Sequence, residues 1–387
     1  MSKIIIIGGG VIGSGLAWHL AKAGAAADVV VIEPDPTYEF AATPRAFGGI
    51  RFVQGLRENL EMSLYGRKIY ENFTTTVDTG EDPVEIGFHE CGYMFLGYGD
   101  MVRAFEADHE MLSDAGGVVR LMDRAALEAL MPSFNFADVD AALYSPHDAR
   151  IDPHAALQGY RRAAIRLGIR YLKDRVVDIE HNGKQALSVK LESGEKVDGD
   201  IIVNAANCWA PDICRMVGME IPVEPVRRQT FFFDIQGEIE AFPGVRDHTG
   251  LSVRPDGAGF VTGKTAAGRD AGFNWDLDHR EFDDDLWPLM AHRSPSFEAV
   301  KYKGGWVGHY DQNRLDGNPI LGRWTDGLEN FIVAAGFSGH GLQHAPAVTR
   351  GLSELILHGE YRSFDLSLFS YRRVIENTPI PDSGPTP

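Results

Sequence analysis

Gly8, Gly10 and Gly13, with Glu33 twenty residues beyond the last of them, have the types and spacing to hold a dinucleotide. Gly8 permits a tight turn, Gly10 lets the backbone approach a pyrophosphate, and Gly13 lets a helix pack closely on a strand. The pyrophosphate then rests on the helix start at Val11 and Ile12, where free N–H groups and the positive dipole end meet it. Glu33 brings a carboxylate to the ribose hydroxyls and repels a 2′-phosphate, which disfavours NADP. The motif leaves NAD and FAD both open, and a glycine-rich turn without a ligand is the plain alternative.

Those residues need a strand, a helix and a second strand to position them, and the sequence supplies each. The apolar run Ile4–Ile7 stops at Gly8-Gly9-Gly10 and predicts a strand buried on both faces. Ile12, Leu16 and Leu20 recur at helical spacing over Val11–Ala23, with Gly24 as the stop. Val29–Ile32 is a second buried strand that ends at Glu33, so a parallel βαβ unit is expected. Further helices are expected over Glu58–Phe73, Val102–Ala115, Arg124–Leu130 and Pro346–Leu357, and over Pro153–Leu167 with Asp152 as its cap. Strands are expected at Gly87–Leu96, Arg170–Glu180, Leu187–Leu191, Ile201–Asn204 and Phe331–Ala335. Between Val223 and Val307 the texture is that of antiparallel sheet, with strands such as Arg228–Asp234 and Gly259–Gly263 and an acidic patch at Asp283–Asp285.

Buried-strand texture thus recurs at the N-terminus, in the middle and near the C-terminus. The expected fold class is α/β (α+β overall): a Rossmann-type nucleotide-binding domain with an inserted antiparallel-sheet substrate domain. The first is assembled from 1–85, 146–215 and 321–378, the second from 86–145 and 216–320, and a loose tail covers 379–387.

The chain has 387 residues and a formal charge of −18. A field of that sign repels phosphate backbones and anionic membrane surfaces, so nucleic acid is not an expected partner. A small anionic substrate needs a local positive site to overcome it. Three cysteines, Cys91, Cys208 and Cys214, point to a reducing compartment, and no His/Cys cluster has metal spacing, so no metal is expected. No uncharged apolar run approaches the ~20 residues of a membrane-spanning helix. A cytoplasmic place is the expectation.

Separated motifs choose between the cofactors. Ile6-Ile7-Gly8-Gly9-Gly10-Val11-Ile12-Gly13 with Glu33, Gly48-Gly49-Ile50-Arg51, Val203-Asn204-Ala205-Ala206-Asn207-Cys208-Trp209-Ala210, Gly304-Gly305-Trp306 through Asn318-Pro319-Ile320-Leu321-Gly322, and Ala335-Gly336-Phe337-Ser338-Gly339-His340-Gly341-Leu342-Gln343 span nearly the whole chain. Together they resemble the amino-acid-oxidase-like family of FAD oxidoreductases, the group that contains sarcosine oxidase, glycine oxidase and dimethylglycine dehydrogenase. The resemblance implies FAD. It implies that Gly48, Gly49 and Ile50 pass the flavin ring, that Val176 holds the adenine end through its backbone, and that Ala205 and Trp209 join the cofactor wall. The last motif, with Gly336, Gly339, Gly341, Leu342 and Gln343, makes a second anion-favouring helix start that faces the flavin pyrimidine, where negative charge collects on reduction. Near Tyr310, where sarcosine oxidase-like chains place a linking Cys, this one has Gly308 and His309, so FAD is expected to be non-covalent.

For the substrate, the resemblance assigns Arg51 to a carboxylate, which a guanidinium fork grips through two hydrogen bonds. Gln343 stands where sarcosine oxidase-like chains carry a lysine, which argues against sarcosine itself. Arg254 is a further candidate for a second carboxylate, Tyr310 for the pocket wall, His340 for tuning the ring or holding a substrate oxygen, and Lys264 for activating oxygen. The expected activity is FAD-dependent oxidation of the C–N bond of a small carboxylate-bearing secondary amine or N-substituted glycine, such as sarcosine, dimethylglycine or iminodiacetate-like compounds. Hydride passes to flavin N5, and water hydrolyses the imine. The final electron acceptor is oxygen or an electron-transfer partner. Three alternatives stand beside it. A D-amino-acid or 2-hydroxy-acid dehydrogenase would use the same scaffold. A flavin-bearing assembly factor would turn over no amine, and a respiratory assembly factor of this family is similar to the chain. An NAD dehydrogenase would be colourless.

Overall fold

The structure is a computed structural model that describes residues 2–265 and 271–381; of the tail expected at 379–387, residues 382–387 lie outside them. Ile4–Ile7 sits near the middle of a six-stranded sheet ordered Ile320–Arg323, Phe331–Ala335, Ile201–Asn204, Ile4–Ile7, Val29–Ile32, Arg170–Leu172. All neighbours are parallel except the first pair. The two-residue alternation of a strand divides its isoleucines. Ile4 and Ile6 pack with the helices Val11–Lys22, Pro153–Arg166 and Gly341–His358. Ile5 and Ile7 pack on the other face with the three-stranded antiparallel sheet of Val176–His181, Ala186–Leu191 and Lys196–Asp198. Each of these four side chains is at most 5% exposed, and burial of that kind is worth about 1.5–3 kcal/mol per side chain. The run therefore fixes the strand that carries Gly8 to the cofactor.

The second sheet has eight strands, ordered Val300–Asn313, Val223–Ile235, Gly259–Lys264, Leu251–Asp256, Gly244–Arg246, Tyr93–Gly97, Ala141–Ser145, Arg120–Asp123. It is the expected antiparallel sheet with one parallel pair, where Gly244–Arg246 runs beside Tyr93–Gly97. Register places Tyr93 opposite Gly244, Arg246 opposite Ser252, and Val226 opposite Tyr310.

Three expected elements differ from the structure. The strand expected over Arg170–Glu180 is two, broken at 173–175, where the Asp174 carboxylate takes the Arg175 N–H and the chain leaves one sheet for another. The acidic patch at Asp283–Asp285 lies in a helical turn, Glu281–Leu286, which continues into Trp287–Arg293; Phe282, Leu286 and Met290 recur every four residues and are buried in the core. The last long helix begins at Gly341, five residues before Pro346, and carries the proline inside it. The missing Pro346 N–H leaves the Leu342 carbonyl without its helical donor, and the Tyr70 hydroxyl donates to it at 2.6 Å. Asp152 caps the Pro153–Arg166 helix as expected, accepting from the Ala155 N–H at 3.0 Å.

Among the described residues no helix is long and apolar enough to cross a membrane, no group of three His, Cys, Asp or Glu is placed to hold a metal, and all three cysteines are free.

Candidate active site

A cavity of about 700 Å³ opens between the two sheets, within the range that holds cofactor-sized ligands. Gly8, Gly10, Val11, Ile12 and Glu33 line one end of it. Gly10 caps the Val11–Lys22 helix with no side chain, and the Val11 N–H donates to the Thr43 hydroxyl at 3.3 Å, so the helix start that borders the cavity keeps its unpaired dipole end at Ile12. Gly8 has φ +99°, and a Cβ there would lie 2.6 Å from the Ala205 carbonyl oxygen. Gly13 stands behind the wall: a Cβ there would collide with the Gly8 carbonyl. Glu33 accepts from the N–H groups of Gly9 (2.8 Å) and Asp35 (3.0 Å), while burial raises its pKa.

Val176, Ala205 and Trp209 line the middle of the cavity, where Trp209 stacks on Phe273 at 5.0 Å. At the far end Tyr310 faces Gly339, Gly341 and Leu342, at the uncapped start of the Gly341–His358 helix. Asp311 shapes that start by accepting from the N–H groups of Gly336 (2.7 Å) and Phe337 (3.1 Å). Burial pushes its carboxyl up to about 6.

Arg51 follows the short Gly49–Ile50 strand and is 9% exposed. The Gln343 side-chain oxygen accepts from the Arg51 N–H at 3.3 Å, and the Asp148 carboxylate takes the next N–H, Phe52, at 2.8 Å. No described residue accepts a hydrogen bond from the Arg51 guanidinium, and no described carboxylate pairs with it. His340, Arg51 and Arg246 come together: burial first, then the charges of His344, Arg51 and Arg246, hold the His340 imidazole well below its ordinary pKa. The two histidine rings stack at 5.5 Å. His340 is therefore neutral at pH 7, with a ring nitrogen free to accept a hydrogen bond.

The remaining expected residues are placed as follows. Gly48 (φ +80°), Gly49 and Ile50 form the support beneath Arg51, paired with Ala149–Arg150. Gly308 packs on Arg45 and Gly336 on Val223 and Asn313, so both make room for backbone beside the cavity. Gln343 is buried next to Ser63 and His344. Arg254 shares the sheet face with Arg246, but its guanidinium donates to the Phe47 carbonyl (2.6 Å) and to Asp256 (3.3 Å) and stacks on Phe47. Those contacts hold the Phe47 segment, and a second carboxylate, the role expected of Arg254, would have to compete with them or take its unpartnered Nε. Lys264, the residue expected to activate oxygen, pairs with the half-exposed Asp285 at 3.3 Å. His309 lines the cavity, accepting from the Asn274 N–H at 3.1 Å, and burial lowers its pKa to about 4. Sequence reasoning missed Arg246, Asp148, Asp311 and Tyr93.

Residues 3–355 match the family described as FAD dependent oxidoreductase. The chain belongs to that family. FAD dependent oxidoreductase domain-containing protein 1 of Xenopus laevis is 31% identical over 419 residues, spanning 98% of this chain and 84% of that protein. Mitochondrial dimethylglycine dehydrogenase of Homo sapiens is 29% identical over 396 residues, spanning 94% of this chain but only 43% of that protein. The crystal structure of L-proline dehydrogenase from P. horikoshii matches with a TM-score of 0.85 at 26% identity, over 97% of this chain and 98% of that one. FAD is thus the cofactor, and the choice the glycine motif left open falls to it. The residues present fit: two uncapped helix starts, a glycine cradle that a Cβ would fill, and the Glu33 carboxylate all face one cavity.

Proposed function

We propose that this oxidoreductase oxidises the C–N bond of a small carboxylate-bearing secondary amine or N-substituted glycine. The observation that carries the reading is the Arg51 guanidinium: buried, in ion-pair contact with no described carboxylate although the Asp148 carboxyl, bonded to the Phe52 N–H, acts on it, and beside the helix start that the family gives to the flavin. A buried arginine without a counter-ion is costly, and a substrate carboxylate would remove that cost through two charge-assisted hydrogen bonds. FAD, when bound, supplies the acceptor for a hydride from the carbon next to nitrogen; the substrate is left as an imine, which water splits into a carbonyl compound and the smaller amine.

The chain's own residues orient. Arg51 fixes the acid end, Tyr310 bounds the pocket, and the His340 ring nitrogen accepts from the substrate N–H without adding a positive charge. The names of the relatives, dimethylglycine dehydrogenase and L-proline dehydrogenase, support a secondary or tertiary amine bearing a carboxylate. Non-covalent FAD, an inserted substrate domain bounded near 86–145 and 216–320, and a cytoplasmic place belong to the same reading. The sorting of strands between two sheets supports the division, and three free cysteines support the compartment.

The test is a visible spectrum of the FAD-loaded protein under anaerobic titration with N-substituted glycines. Bleaching of the flavin bands by one of them is the expected result, and admitting air then separates oxygen from another acceptor. A yellow protein that no amine bleaches would refute the proposal.

A further inference from the structure

One charged group at the site is left unused by a single carboxylate. Arg246 ends the three-residue strand Gly244–Arg246 and is 7% exposed. Its Nη2 is buried without a hydrogen-bond partner, and no described carboxylate pairs with the side chain. Burial, then the charges of Arg51 and Arg228, hold it well below the ordinary arginine range, and Tyr310 and Tyr93 act on it in the opposite sense. The register explains the grouping. Tyr93 lies opposite Gly244, two residues from Arg246 along the strand, so both side chains stand on one face. The Tyr93 hydroxyl is also buried without a partner. Tyr310, which neighbours Arg246, lines the cavity.

Arg51 and Arg246 thus act on one another from different elements, with Arg228 beside Arg246, and neither Arg51 nor Arg246 is in ion-pair contact with a described carboxylate. His340 is neutral and Gln343 is uncharged, so neither offsets nor adds to their charge. Like charges buried together repel, and one carboxylate would cancel only half of the pair. Two carboxylates on one molecule would cancel both, in a protein whose overall charge of −18 otherwise repels such an anion.

Resting on the amine-oxidation reading, we propose that the substrate is an amine with two carboxylates, of the N-carboxyalkyl amino-acid class: one carboxylate on Arg51, the second on Arg246 with the Tyr93 hydroxyl as a further donor. Arg246 is then the residue that selects this class over monocarboxylate amines.

The test is binding without turnover, so that it stands apart from the amine reading. The FAD-loaded protein is titrated with malonate, succinate and glutarate, and in parallel with acetate and butyrate, following the flavin spectrum and the melting temperature. None of these carries an amine to oxidise. The expected result is that at least one diacid binds ten times or more tighter than either monoacid. In Arg246→Met that preference falls to within twofold while monoacid affinity stays within twofold of wild type; in Arg51→Met both classes weaken. Arg246→Lys, which keeps the charge, retains part of the preference. Equal binding of diacids and monoacids by the wild-type protein, or no response to any diacid, overturns the inference whether or not the variants fold. Loss of monoacid binding in Arg246→Met would also overturn it, because both arginines would then grip one carboxylate. If diacids are preferred and yet no amine is oxidised, the amine reading fails and the two-carboxylate site stands.

Discussion

Gly10 and Gly13 belong to one motif yet serve different partners, and alanine at each separates the two. A Cβ on Gly10 meets nothing closer than the Thr43 hydroxyl at 3.6 Å, an ordinary contact, and its φ of −62° and ψ of −170° suit any residue. Gly10→Ala is therefore expected to leave the apoprotein unchanged or to stabilise it by up to about 1 kcal/mol, through a less flexible unfolded chain. The new methyl points into space lined only by the cavity, where the pyrophosphate must approach. Losing one hydrogen bond to a charged group costs about 1.5–3 kcal/mol, so FAD affinity should fall about 10- to 100-fold. Gly13→Ala reverses the pattern. Its Cβ collides with the Gly8 carbonyl, which is backbone and cannot swing away. The helix must lift off the strand, at a cost of about 1–3 kcal/mol to the apoprotein, and FAD binding weakens with it. The assays are denaturant unfolding of the two apoproteins and quenching of FAD fluorescence on titration. An apoprotein destabilised as much by Gly10→Ala as by Gly13→Ala, or a Gly10→Ala protein that binds FAD like wild type, would refute the division of labour.

Two further outcomes follow from the groups around Arg51. Burial lifts the Asp148 carboxyl from 3.8 to about 7, against the opposing pull of the Ser145 hydroxyl and the Phe52 N–H. The folded state therefore holds the extra proton between those values, and stability drains away as pH rises across that window; denaturant unfolding at several pH values should show a steeper fall for wild type than for Asp148→Asn, and parallel curves would sink the assignment. Gln343→Lys puts a third charge beside Arg51 and removes the oxygen that accepts from its N–H. It should cost about 1–3 kcal/mol of stability, and a variant as stable as wild type in the same assay would show that another group absorbs the charge.

What was legible in the sequence was local. The Gly8–Gly13 turn, its strand and Glu33 lie within thirty residues, and each residue's role follows from its type, so they were readable without tertiary information. Arg51 was readable only through the family resemblance. Arg246 was not: it belongs to a strand of three residues that pairs with Tyr93–Gly97 about 150 residues away, and no periodicity marks so short an element. Arg254, which the sequence does offer, sits two strand positions from Ser252, the partner of Arg246, so the two guanidiniums share one sheet face. The Gly341–His358 helix begins five residues before Pro346, the start that the sequence suggests because proline ordinarily opens a helix. Here the Tyr70 hydroxyl, from a helix some 270 residues earlier, makes proline tolerable in the interior.

That hydroxyl has a wider meaning. Although the His344 N–H still donates to the His340 carbonyl, the first turn, which borders the cavity, lacks one of its helical bonds because Pro346 brings no N–H to Leu342. It is held sideways, by Tyr70 on Leu342, by Gly66 against the Gln343 carbonyl, and by Ser63 beside the Gln343 side chain, all from the Arg57–Glu71 helix. The first turn and that neighbouring helix thus form one cooperative unit, separable from the rest of Gly341–His358. Whatever binds at the turn draws on the folding free energy of a helix it does not touch, and substitutions on the hidden side of Arg57–Glu71 become a means of setting cofactor affinity from a distance.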